Sequence, residues 1–255
     1  MSEEHSGCQI HATALVSKDA QLGAGVRVGA FSIIEAGTRI GAGTIIGSHC
    51  HLGAKSIRET CPPLVIGAGS LVRSHSIFYE GSSFGDRLVT GHRVTVREGT
   101  IAGTNLQIGT LSDIQGDCQI GDYVRLHSNV HIGQKSTVGD FVWIFPYVVL
   151  TNDPTPPSAT LVGCFIGDYA ALATMSVVLP GVRVESDALV GAMTVVRADV
   201  DHGHICIGNP GKVVGSTARV RLRDSGKPAY PWRRHFHRGY PDAVVARWRQ
   251  EFPDG

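Results

Sequence analysis

The chain has 255 residues with 23 Lys+Arg against 22 Asp+Glu, a balance that argues against a nucleic-acid binder or a strongly acidic partner. Glycine supplies 32 residues and the three aromatic types together 17, so glycine is well above its usual share of about 7% and serves backbone geometry more than packing. No stretch approaches the roughly 18 apolar residues of a membrane span, and Met1-Ser-Glu-Glu-His5 lacks the basic and apolar regions of a leader, so the expectation is a cytoplasmic protein without a membrane partner.

From Ile10 onward a six-residue column of aliphatics runs through Val16, Leu22, Val28, Ile34, Ile40, Ile46 and Leu52. It resumes at Ile66 and continues, with only Phe78, Phe84, Thr90 and Ala102 departing from Val, Ile or Leu, to Leu150; a last run goes from Ile166 to Val196. Together these make 29 sites, 25 of them aliphatic. A helix needs apolar positions at three- and four-residue steps and a plain strand every second one. A period of six fits a short strand plus a tight turn, repeated. Glycine often follows the aliphatic (Gly23, Gly41, Gly121), where it is expected to relieve the corner. Four residues after the aliphatic sits a small or β-branched residue such as Ser32, Thr44 or Ser136, and Cys50 and Cys118 fall in that column. The six cysteines show no Cys-x-x-Cys or zinc-finger spacing, so reduced structural thiols are expected.

The repeat resembles that of the hexapeptide-repeat proteins, all-β left-handed parallel β-helices in which three hexads make one triangular coil. Over residues 10–201 the resemblance implies nine to ten coils. The expected organisation is a lead-in at 1–9, a β-helix at 10–210 with protruding loops at 57–65 and 151–163, and a tail at 211–255. Both loops carry prolines, which exclude helix there. The tail is locally basic, with 10 Lys+Arg and 5 Asp+Glu after residue 200. Within it, Pro241-Asp-Ala-Val-Val-Ala-Arg-Trp-Arg-Gln-Glu-Phe252 predicts a short amphipathic helix, either packed on a coil or neighbour or covering an open coil edge.

Three motifs carry the functional reading. Thr90-Gly-His-Arg-Val-Thr-Val-Arg-Glu98 is similar to the Thr-Gly-His…Arg-Glu signature of hexapeptide N-acyltransferases that act on nucleotide-linked amino sugars. The resemblance implies His92 as the general base that collects the proton from the attacking amine, with Glu98 orienting the imidazole or touching the sugar. Thr151-Asn152-Asp153-Pro154 resembles the Thr-Asn-Asp loop of the same enzymes and implies Asn152 and Asp153 as substrate contacts; an Asx turn that opens the loop is the other reading. Gly208-Asn-Pro-Gly-Lys212 resembles the Gly-Asn-Pro-Ala-Lys segment that ends many acetyltransferases of this fold. That places Ala192, Asn209 and Pro210 along a coenzyme A arm and Lys212 with Arg197 at its phosphates.

No Gly-x-Ser-x-Gly elbow and no Rossmann fingerprint is present, so direct attack of the acceptor on acetyl-CoA or another acyl-CoA is expected, without a metal. The resemblance further implies a homotrimer with sites between prisms. O-acylation of a hydroxyl is the nearest alternative. A zinc hydratase like the γ-class carbonic anhydrases is more distant, because His92, His127 and His131 do not fall in column.

Overall fold

Members of the aliphatic column close two-residue strands, as in Gln9–Ile10, Leu15–Val16 and Gln21–Leu22, except Leu52 and Phe78, which lie within longer ones. In the computed structural model, which describes residues 7–253, every such strand pairs in parallel with the strand one coil further on, Gln9 with Arg27 and Ile10 with Val28 being the first pair. The result is a left-handed parallel β-helix with three flat faces. The first face starts at Gln9, the second at Leu15 and the third at Gln21. Coils are numbered from Gln9, so Val89 opens the fifth, Arg125 the seventh and Trp143 the eighth.

From Val28 to Val196 every member of the column is buried. Of the four departures, Thr90 is buried and accepts from the Arg73 amide at 2.9 Å, and the other three are packing solutions. Phe78 and Phe84 meet edge to face at 5.1 Å inside the prism, and Ala102 pairs directly above Phe84, a small residue over a large one. The inner serines, Ser176 apart, bond to the coil wall: Ser32 Oγ donates to the Gly47 carbonyl at 2.7 Å and accepts from the Cys50 amide at 3.1 Å. Cys50 and Cys118 are fully interior. Burial pushes the Cys118 thiol up to about 11 and the Cys164 thiol up to about 12. Native-state alkylation is therefore expected to stop at the two half-buried thiols, Cys8 and Cys61, because the thiolate is the reactive form. Mass spectrometry of the labelled chain checks this; rapid modification of Cys118 or Cys164 would show that the prism interior opens.

The glycine column has a different cause from the one expected. The left-handed corner residue comes two positions after it, and seventeen non-glycine residues take up that conformation, among them Phe31, Tyr123, Phe141 and Met193. None is β-branched, as sterics demand. The glycines mark where the next coil's backbone lies: a Cβ on Gly41 would stand 2.3 Å from the Ala68 nitrogen.

The prism also runs past Val196. Val200 bridges in parallel to Val184, and His204–Ile207 pairs beside Leu189–Val190, so the first face reaches an eleventh coil among the described residues. Lys212–Ser216 then folds back antiparallel on His204–Ile207 and closes that edge, carrying sheet pairing beyond the expected boundary at 210.

The predicted helix, α1, spans Asp242–Glu251. It lies on the flank of the prism, not over its open end. Corner residues Tyr123, Phe141 and Tyr169 stack one per coil at 5.0 Å, a spacing close to the strand separation of about 4.8 Å. Trp248 of α1 is only 1% exposed and meets Phe141 at 5.3 Å and Tyr240 at 4.8 Å. Arg233 lies 4.0 Å over the Tyr169 ring while bonding Asp187 at 2.6 Å and Glu251 at 2.8 Å. The local basic excess of the tail is thus partly structural.

Candidate functional site

His92 is exposed at the corner between the first and second faces, in the fifth coil. Its Nδ1 is 2.8 Å from Ser74 Oγ, one coil below, and its amide donates to Thr110 Oγ1 at 3.2 Å. A hydroxyl can donate or accept, so Ser74 does not select a tautomer of this ring. Glu98 sits at the next corner, between the second and third faces, and does not meet His92. It is buried and held by Arg97 at 2.9 Å, with Arg58 Nε at 3.7 Å.

Arg58 comes from the first protruding loop and forms a fork to both oxygens of Asp117, at 2.9 and 2.8 Å. Gln134 adds a third bond to Asp117 at 2.7 Å. The Arg58 fork is the main reason the Asp117 carboxyl lies below its usual range. Its stabilising contribution is therefore present above the unfolded carboxylate value and lost as pH falls through the lower folded one. Asp117→Asn is expected to lower the melting temperature at pH 7, with the gap to wild type closing below about pH 3.8; a gap that persists there would mean the fork is not what the acid limb reports.

On the second face, in the seventh coil, His131 Nδ1 lies 3.1 Å from Asp113 Oδ2, directly beneath it in register. Burial alone would raise the Asp113 carboxyl, but the bonds from His131 and Gln115 outweigh it and leave it below the usual range. A carboxylate at Nδ1 fixes that nitrogen as the donor and leaves Nε2 with a free lone pair. Asn152, from the second loop, packs against Gly133. Its Cβ and Cγ stand 3.1 and 3.2 Å from where a Gly133 side chain would start, two residues along the strand from His131. A side chain at 133 would meet the Leu150 carbonyl at 2.6 Å and press on Asn152 as well. Asp153 is occupied differently: it accepts from the Thr155 amide at 3.2 Å and from the Ser158 amide and hydroxyl at 3.1 and 2.6 Å. The Ser158 bond is the first cause of its lowered carboxyl, and this is the Asx turn that was the other reading of the loop.

The residues expected along a coenzyme A arm gather at the eleventh-coil end. The Gly208 carbonyl accepts from the Val195 amide at 3.0 Å and the Gly211 amide donates to the Val195 carbonyl at 2.8 Å, so Asn209 and Pro210 form a tip on the second face. Ala192 is exposed at the adjoining corner one coil below. Arg197, two residues past Val195, and Lys212 are exposed cations. Val195, Val177, Val149 and His131 form one column down the second face, and the hairpin tip pairs one coil beyond Val195, so four strand spacings, about 19 Å, separate His131 from the tip. His92 is six spacings below that tip, about 29 Å. The Asp113–His131 pair was missed in the sequence; its signal was the 18-residue separation, which is one uninterrupted coil.

A sequence profile described as bacterial transferase hexapeptide (six repeats) matches residues 19–57. Among curated proteins, an acyl-[acyl-carrier-protein]–UDP-N-acetylglucosamine O-acyltransferase of Bartonella tribocorum is 42% identical over 132 residues, 47% of this chain and 48% of that one. A 2,3,4,5-tetrahydropyridine-2,6-dicarboxylate N-acetyltransferase of Staphylococcus aureus is 35% identical over 85 residues, 33% of this chain and 35% of that one. The chain thus spans half or less of the curated relatives it matches. A solved UDP-N-acetylglucosamine acyltransferase from Campylobacter jejuni aligns over 97% of this chain and 86% of its own, at 18% identity and a TM-score of 0.48. Residues 19–57 therefore match the hexapeptide repeat, and the same six-residue column and three stacked sheets continue through the coils beyond them.

Proposed function

We propose that the chain is an acyltransferase that moves an acyl group, most simply acetyl, from coenzyme A to the amine of a nucleotide-linked amino sugar. The observation that carries the reading is the Asp113–His131 pair on an open coil face, with Asn152 beside it and an apolar column leading from it to the Gly208–Lys212 hairpin. His131 Nε2 takes the proton as the acceptor nitrogen attacks the thioester carbonyl, and the thiol leaves toward the hairpin. The column Val149, Val177 and Val195 gives the pantetheine arm an apolar floor, and Lys212 with Arg197 faces its phosphates. Asn152 bonds the sugar, while Glu98, locked between two arginines, supports the wall through Arg97 and Arg58.

Four large apolar residues, Leu111, Tyr147, Met175 and Met193, are 50%, 53%, 51% and 70% exposed along the corner beside this face. Such a ridge supports self-association as a homotrimer, with the site in the cleft between prisms. A histidine base serves a hydroxyl as well as an amine. The hydroxyl reading is favoured by the name of the 42% identical relative.

The test is thiol release from acetyl-CoA across a panel of nucleotide-linked amino sugars and their hydroxy counterparts, with product mass spectra. Amide formation on an amino sugar supports the reading, ester formation selects the hydroxyl alternative, and no thiol release with any acceptor overturns both.

A further inference from the structure

A second site lies away from the Asp113–His131 face. Between the tail and the first face is a cavity of about 180 Å³ walled by Trp143, Phe145 and Ala171 of the prism and by Tyr230, Trp232 and Phe236 of the tail. The rings leave it open because they meet at right angles: Trp143 is edge-on to Trp232 (80°, 6.2 Å) and to Phe236 (87°, 5.5 Å). On the outward column of this face Arg125, Trp143 and Leu189 are large and only Ala171 is small, so the sequence withholds the side chain that would fill the space.

The walls are set and mostly apolar. The Trp143 indole donates to the Tyr240 hydroxyl at 2.9 Å, the Trp232 indole to the Tyr169 carbonyl at 2.9 Å, and His235 Nε2 bonds the Ala229 carbonyl at 3.0 Å. Among the described residues, one polar group of the lining and one ring behind it have no side-chain hydrogen bond. The Tyr230 hydroxyl makes no protein hydrogen bond, and burial holds it in the neutral, donating form. The His127 ring stacks on Phe145 at 4.8 Å without a hydrogen-bond partner of its own, and burial disfavours its charged form. At the rim, the exposed Arg238 guanidinium lies 5.9 Å from the Phe236 ring centre and has no carboxylate partner among the described residues.

We infer that this cavity binds the base of a nucleotide, stacked among Trp143, Phe145, Trp232 and Phe236, with Arg238 taking the adjoining phosphate. No carboxylate lines the cavity, which argues against a cationic ligand. Aromatic walls suit a flat π system, and a void of about 150 Å³ already holds a benzene ring. The Tyr230 hydroxyl supplies a donor for a heterocycle's edge, which an acyl chain would leave unused. The inference deepens the transfer reading and rests on it for the expectation that a nucleotide-bearing substrate reaches this surface. The base has two possible sources, the sugar nucleotide and coenzyme A.

All three tryptophans of the chain, Trp143, Trp232 and Trp248, belong to the surrounding aromatic cluster, so intrinsic fluorescence reports the site without turnover. The full chain is titrated with UDP, ADP and coenzyme A, and with ribose 5-phosphate and inorganic phosphate as probes lacking a base. Saturable change with at least one nucleotide and none with the baseless probes is expected; UDP as the tightest ligand assigns the sugar nucleotide, ADP or coenzyme A the acyl donor. Ala171→Phe, which fills the cavity, should weaken binding by about tenfold or more, and so should Arg238→Ala. Tyr230→Phe keeps the wall and removes only the hydroxyl, so a weakening there supports the site even if Ala171→Phe folds poorly. No saturable change with any nucleotide, or unchanged affinity in both Ala171→Phe and Arg238→Ala, overturns the inference. Nucleotide binding here in a chain that releases no thiol would sink the transfer reading and leave this one standing.

Discussion

Replacing His131 by Asn is expected to lower kcat for acyl transfer by about 10²–10⁴-fold with little change in KM, the range for loss of a positioned general base. The expectation follows from how the ring is held. Asp113 sits one coil below, in register, and its carboxylate can only accept at neutral pH, so it fixes the proton on Nδ1 and presents Nε2 as a base. Asp113→Asn should reproduce part of the loss, roughly tenfold or more, because an amide can present either its oxygen or its nitrogen to the ring. Two parallel variants make the result specific. His51 Nε2 makes a comparable bond to Glu35 at 2.8 Å four coils lower, and His51→Asn should leave turnover unchanged if position, not pairing, makes the base. His92→Asn addresses the corner histidine that the Thr-Gly-His motif singled out. Collapse in His92→Asn with full activity in His131→Asn would move the base to the fifth coil, about 29 Å below the hairpin, and would require a donor able to bridge that span.

The period of six was legible because it is a geometric necessity. One inward aliphatic per hexad is the only way a two-residue strand can serve a triangular core, and Phe84 under Ala102 shows that departures compensate in volume. What escaped was set by a second period. Residues 18 apart are stacked neighbours wherever no loop intervenes, which is how Asp113 meets His131 and Ser74 meets His92. A histidine examined only against other histidines does not reveal its carboxylate. The Arg58–Asp117 fork had no such signal, since its partners are 59 positions apart and Arg58 stands in a proline-bearing loop. Near the end of the prism the column slips, Val200 following Val196 by four residues, while the coil continues. The left-handed corners escaped too, because Tyr123, Phe141 and Tyr169 hold them two positions after the glycines that were expected to relieve the corner, and their stacked rings are the platform on which the tail docks.

That platform makes Trp248→Ala the most disruptive expected change outside the prism. Truncating a buried tryptophan costs about 3–5 kcal/mol, and Trp248 touches five rings of the cluster, Phe141, Tyr169, Trp232, His237 and Tyr240. The loss should not unfold the coils. The prism carries its own continuous core from Ala20 to Cys206, separate from the aromatic cluster beneath α1, and regions with their own core open as units. The tail is instead expected to detach, giving rapid proteolysis after about residue 217, loss of near-ultraviolet aromatic ellipticity, and an unchanged main thermal transition. Detachment would also free Arg233 from Asp187 and strip Arg125 of its Gly239 and Tyr240 contacts, leaving the Phe141–Tyr169 ladder open to solvent as an association-prone stripe. A single transition lowered as a whole, with no early proteolysis, would show instead that tail and prism fold as one cooperative unit.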